Sequence, residues 1–134
     1  MLSVMMKIGE LSRKTGVSID AIRFYEKQSL IQSQGRTDGG YREFSFETAE
    51  LLHFISKCRA LDIPLPDVKK LLQVRSQSVK SCREANLIIN DQLIKLRERI
   101  RELKILESQL AELRSICSEE LAPSECKIIK ALNR

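Results

Sequence analysis

The chain of 134 residues has no tryptophan, and aromatic residues make up only 4% of it. Packing therefore falls to leucine and isoleucine rather than to large rings. Histidine occurs once, as His53, with no partner in any Ser/His/Asp set, and no glycine-rich phosphate loop is present. Nucleophilic catalysis of the triad type and phosphate-cradling chemistry both lack their residues, and thiol catalysis lacks a visible base. The chain reads as a non-enzyme. It also lacks long apolar runs. The start from Met1 to Met6 is briefly apolar, without a charged leader region or a cleavage site, and no other stretch approaches membrane-spanning length. These absences predict a cytoplasmic protein with no membrane partner, and the methionines at positions 1, 5 and 6 leave Met1, Met5 or Met6 as the native start.

What is present is basic and apolar in moderate measure. Lys plus Arg outnumber Asp plus Glu by 23 to 18, a net charge of +5, and 43% of residues are hydrophobic. The excess suits a polyanion but is shared by many unrelated proteins. The length fits one domain, or a small domain with an oligomerisation element. Four cysteines in a reducing compartment point to metal binding or redox sensing rather than structural disulfides.

The organisation follows from breakers and caps. A first helix is predicted over Ile8 to Lys14 and closed at Gly16 in the left-handed conformation. Ser18 caps a second over Ile19 to Lys27, with Asp20 in its first turn. Ile8, Leu11, Val17, Ala21, Ile22 and Leu30 would pack this helix-turn-helix. Asp38-Gly39-Gly40 is a hairpin turn whose arms are read as Leu30-Ile31 and Tyr41 to Phe44, making a wing. Ser45 caps a third helix, Phe46 to Ala60, with Leu51, Leu52, Phe54, Ile55 and Cys58 at helical spacing. A fourth begins near Pro66 and runs to about Val74.

A run from Arg83 to Ile116 contains no glycine and no proline. As a helix it spans ~50 Å. Ile89, Leu93, Leu96, Ile100 and Leu103, then Leu106, Leu110, Leu113 and Cys117 after a one-residue slip, form a coiled-coil seam flanked by Glu98, Arg99, Arg101, Glu102 and Lys104. Nothing else in the chain is large enough to bury that stripe, so a homodimer is predicted. Cys82 precedes the helix; Cys117 and Cys126 follow it. In an antiparallel pair Cys82 of one chain meets Cys117 and Cys126 of the other. Three thiolates suit soft ions and can form a trigonal site for Pb(II), Cd(II) or Hg(II). Zn(II) prefers four ligands; the loop Ser118 to Glu125 offers no Cys or His, so Glu119, Glu120 or water would have to complete it. The predicted architecture is mainly α. A winged helix-turn-helix spans 1–75, a linker 76–81, the dimerisation helix 82–116, and a metal-binding loop and short helix 117–134.

Several segments together resemble the winged-helix head of MerR-family transcription regulators. They are Ile8-Gly9-Glu10-Leu11, Gly16-Val17-Ser18, Ala21-Ile22-Arg23-Phe24-Tyr25-Glu26 and Gly39-Gly40-Tyr41-Arg42. The likeness continues through the whole chain from Met6, and Cys58 to Ile63 and Leu103 to Leu113 are most similar to the lead/cadmium branch. The resemblance implies a dimer on double-stranded promoter DNA that works with RNA polymerase and activates by bending and untwisting an over-long spacer. It also disfavours Cu(I), since a copper sensor of this family is expected to lack the Cys82 thiol.

The candidate DNA contacts are Ser18, Arg23, Tyr25, Arg36, Tyr41, Arg42, Lys57 and Arg59. Arg23 and Tyr25 lie on the helix that enters the major groove, where Arg23 reads a base edge or a phosphate. Tyr41 and Arg42, flanked by Arg36, would grip backbone from the wing. Ser18 either caps its helix or offers its hydroxyl to phosphate. Lys57 and Arg59 contact backbone or are a solvated face. Phe24 and Cys58 are read as core, and His53 as structural. The candidate metal ligands are Cys82, Cys117 and Cys126. Two other readings stay open: a thiol-redox regulator of the same fold, and a coiled-coil module without DNA binding.

Overall fold

The computed structural model describes residues 5–77, 81–117 and 120–134. Residues 78–80 of the linker, Glu119 as a fourth ligand, and Met1 as the native start lie outside the described residues. A first compact unit ends at Ile88 and a second runs Ile89–Arg134.

In the first unit the elements are β1 Met6–Lys7, α1 Ile8–Thr15, α2 Ile19–Lys27, β2 Gly35–Arg36, β3 Arg42–Phe44, α3 Phe46–Ala60 and α4 Leu65–Arg75. Gly16 stops α1 at φ 74°, its amide donating to the Ser12 carbonyl. The Ser18 hydroxyl accepts from the Ala21 amide at 3.1 Å and the Ser45 hydroxyl from the Thr48 amide at 3.2 Å, so both predicted caps form. Before α4, Pro64 stands at the cap position without a side-chain bond, and Pro66 sits in the first turn, where a missing N–H costs nothing.

The sheet departs from the two-armed ribbon. Its order is β1-β3-β2, with Met6 opposite Phe44 and Gly35 opposite Glu43. Leu30 and Ile31 are not a wing arm. Ser29, at φ 62°, ends α2 in the left-handed conformation; its amide bonds the Glu26 carbonyl and the Leu30 amide bonds the Tyr25 carbonyl. This 6→1 and 5→2 pattern swings Leu30 and Ile31 into the core. The arm is instead Gly35–Arg36, set by the Thr37–Gly40 turn. The same device closes α3. Asp62 is at φ 59°, its amide bonds the Arg59 carbonyl, the Ile63 amide bonds the Cys58 carbonyl, and Ile63 is buried.

Leu11, Ile22, Ile31, Phe44, Leu52, Ile55, Ile63 and Val68 form the heart of one core. Ile88 joins it from the start of α5 (Arg83–Ser115), so the first turns of that helix belong to the head. In the second unit α5 continues unbroken to Ser115. A 3-10 turn, Pro123–Glu125, and α6, Lys127–Leu132, follow it. Among the described residues after Ile88 none is buried. Leu96, Leu103 and Leu110 of the seam are 54%, 53% and 67% exposed. No described helix is long and apolar enough to cross a membrane.

Candidate nucleic-acid interface and thiol pair

All eight candidate DNA residues fall in the first unit: Ser18 caps α2, Arg23 and Tyr25 lie on it, Arg36, Tyr41 and Arg42 lie on the wing, and Lys57 and Arg59 on α3. On α2 the buried and half-buried positions are Ala21, Ile22, Tyr25 and Glu26, while Asp20, Arg23, Phe24 and Lys27 are exposed. Spacings of three and four residues put that second group on one face. Arg23 is therefore on the solvent face of α2. The reading of Phe24 as core is corrected. Phe24 is 48% exposed rather than core, whereas Tyr25 is half-buried and packs against the core. The apolar pattern misleads because helical phase, not hydrophobicity, places a side chain on an amphipathic helix this short.

The wing is held by its own side chains. Arg36 Nη1 donates to the Gly40 carbonyl at 3.0 Å, and the Tyr41 amide donates to the Thr37 hydroxyl at 3.2 Å. Lys7 Nζ lies 4.8 Å from the centre of the Tyr41 ring, a cation–π contact. Arg42 is ion-paired to Glu26. That pair ties the wing to α2 and gives Arg42 a structural partner as well as an exposed guanidinium. Lys7 and Glu26 escaped the sequence reading, since both act through the pairing of β1 and β3 and through the packing of the wing on α2. Ser18, Lys57 and Arg59 are exposed. Arg59 Nη1 also donates to the Ile63 carbonyl at 2.9 Å, fastening the turn after α3. His53 is on the solvent face of α3, where no core role is open to it.

Cys58 is buried, and burial pushes its thiol up from the ordinary value; it is core, as its spacing predicts. No cysteine is in a disulfide. Cys82 is exposed immediately ahead of α5, its carbonyl accepting from the Asn86 amide at 3.0 Å. Cys117 and Cys126 are half-buried, and their sulfurs lie 3.3 Å apart. The 3-10 turn Pro123–Glu125 directly precedes Cys126, whose amide donates to the Pro123 carbonyl at 3.3 Å. No cap hydrogen bond closes on the Cys126 side chain. The nearby Ile129 amide, and then the Cys117 thiol, nevertheless hold the Cys126 thiol below its ordinary value. Two thiolates at ~2.3 Å from one tetrahedral ion would sit about 3.8 Å apart, so the pair needs only a small opening to chelate. Within one chain no cluster of three or more His, Cys, Asp or Glu forms among the described residues.

Two family models match the chain: the MerR HTH family regulatory protein over residues 6–74, and the MerR DNA-binding region over residues 49–113. The chain is 38% identical over 109 residues to the HTH-type transcriptional regulator ZntR homolog of Haemophilus influenzae, covering 81% of each chain. It is 36% identical to the mercuric resistance operon regulatory protein of Bacillus cereus, over 94% of this chain and 96% of that one. Among solved structures it is similar to the transcription regulator PbrR691 from Ralstonia metallidurans CH34 in complex with lead(II). The TM-score is 0.84 at 32% identity, covering 95% and 98% of the two chains.

Proposed function

The chain belongs to the MerR family of helix-turn-helix regulatory proteins, and on that premise we propose that it is a homodimeric, metal-responsive transcription regulator of promoter DNA. Its relatives are transcription regulators and it is not an enzyme. The observation that carries the metal reading is the 3.3 Å approach of the Cys117 and Cys126 sulfurs on a chain whose seam has no internal cover. The third ligand is Cys82 of the partner subunit. A 33-residue helix is ~50 Å long, and antiparallel pairing along the seam carries the partner's start of α5 toward the pair. The site then exists only in the dimer, and only across its interface.

The effector is a soft ion, Pb(II) or Cd(II), with Hg(II) and Zn(II) as competitors. A bound ion supplies a fixed positive charge and a cross-link between the two chains. The protein's own part is to hold the thiolates and to pass the change along. The start of α5 is packed into the core of the head through Ile88, so a shift at the interface can reach α2 and the wing. Arg23 and Tyr25 contact the DNA from α2, while Ser18, Arg36, Tyr41, Arg42, Lys57 and Arg59 position the head on phosphates. Deforming a promoter costs several kcal/mol, which such phosphate contacts can offset, and RNA polymerase is the partner that profits. Residues 1–75, together with the first turns of α5, act as the head, 76–81 as linker, the remainder of 82–116 as dimer helix and 117–134 as sensor; the compartment is the cytoplasm.

The test is metal titration of the reduced full-length protein. Two ions per dimer are expected, with thiolate-to-metal charge-transfer absorption that Cys82→Ser, Cys117→Ser and Cys126→Ser each abolish. Binding retained by Cys82→Ser sinks the cross-interface site. The same close thiol pair favours one second reading, a redox sensor: disulfide closure that changes DNA affinity while metal does not would establish it.

A further inference from the structure

Phe24 is an apolar side chain left in water on a face otherwise made of Asp20, Arg23 and Lys27. The other exposed rings of the head are each covered by a lysine. Lys7 Nζ lies over Tyr41, and Lys14 Nζ lies 5.3 Å from the centre of Phe46. Among the described residues no cation covers Phe24; its recorded ring neighbour is Tyr25, at 5.8 Å and tilted by 58°. The ring is thus 48% exposed beside Arg23, on the helix that a helix-turn-helix lays in the major groove.

A phenyl ring has no donor for a phosphate and no donor or acceptor for a polar base edge. The apolar group that the major groove offers is the C5-methyl of thymine. We propose that Phe24 is a specificity-determining residue that packs on a thymine methyl in each half-site, next to the base pair or phosphate held by Arg23. This rests on the DNA-binding reading above. Burial of the ring against the methyl removes apolar surface of both partners from water, so discrimination comes from contact and shape rather than from hydrogen bonds.

The experiment begins with selection of binding sites by the full-length dimer from a randomised duplex library. Each thymine of the selected site is then replaced in turn by deoxyuridine, which deletes only the methyl. One thymine per half-site is expected at which the replacement weakens the wild type about fourfold, the worth of one buried methyl group. Phe24→Ala is expected to lose that sensitivity while keeping the salt dependence of binding, and Phe24→Leu to keep part of it. The proposal is overturned if every uracil replacement acts alike on wild type and Phe24→Ala. It is equally overturned if Phe24→Ala weakens all sequences uniformly. Thermal melting checks that the variants fold, and Phe24→Leu decides the question if Phe24→Ala does not. If the wild type enriches no sequence, the DNA-binding reading itself fails; that result is distinct from enrichment without a methyl effect.

Discussion

The head and the helix-with-tail differ in one physical respect: the head buries its apolar side chains within its own chain, and the second unit buries none of its described ones. Leu11, Ile22, Leu52 and Val68 are fully buried, while Leu96, Ile100, Leu103 and Leu110 stand more than two-fifths exposed at coiled-coil spacing. The head can hold its shape through its own core. The second unit has helical periodicity and, among its described residues, no packing to reward it; its exposed stripe has the spacing of a two-stranded coiled coil.

The sharpest way to break this contrast is to place charge in the seam. Leu96→Asp combined with Leu103→Asp is expected to cost the dimer ~5 kcal/mol or more, since four carboxylates would enter an apolar interface. Analytical ultracentrifugation should show monomers, with the head's near-UV signal retained; an intact dimer would mean the seam lies elsewhere. Next in size is Leu52→Ala, which opens a cavity in the head and is expected to cost 2–5 kcal/mol. Its loss in unfolding free energy should stay the same across protein concentrations, whereas the stability of seam variants should vary with concentration.

A smaller effect separates the two classes of cysteine. Burial raises the Cys58 thiol above its ordinary 9.0, so the native state keeps a proton that the unfolded chain gives up. The stability this thiol contributes is fully present below pH 9.0 and is lost as pH rises through the raised native value. Denaturant midpoints followed from pH 8 upward should fall less steeply in Cys58→Ala than in wild type; equal slopes would place the thiol outside the core. The smallest expected effect is a gain. Asp62 adopts φ 59° at the end of α3, a conformation glycine takes without a Cβ clash. Asp62→Gly should add ~0.5 kcal/mol, read as a small rise in the head's melting temperature.

Much of the molecule was legible from one-dimensional signals. The limits of α2 and α3, the caps at Ser18 and Ser45, the Gly16 stop and the core positions of Cys58 and Leu52 follow from residue chemistry within a turn or two. The wing was half legible. The glycine-rich turn is a local signal, but the choice of Gly35–Arg36 over Leu30-Ile31 as the arm is not. It depends on Ser29 accepting a left-handed conformation that its residue type does not announce. Phe24 and Tyr25 show the same limit. Two adjacent rings are equivalent in hydrophobicity, and only the rotation of α2 against the core separates them.

Sequence alone determined the repeating signals: a helix-turn-helix with its caps, a long helix with an apolar stripe at coiled-coil spacing, and thiols at both its ends. Such features depend on neighbours within about four residues, where geometry is set by propensity and hydrogen bonding. Tertiary structure decided what no neighbour can fix. It brought the sulfurs of Cys117 and Cys126 to 3.3 Å, tied Arg42 to Glu26 across sixteen positions of chain, and turned Phe24 outward. Each outcome follows from how separate elements pack. Packing energy belongs to the whole core, not to any segment of it.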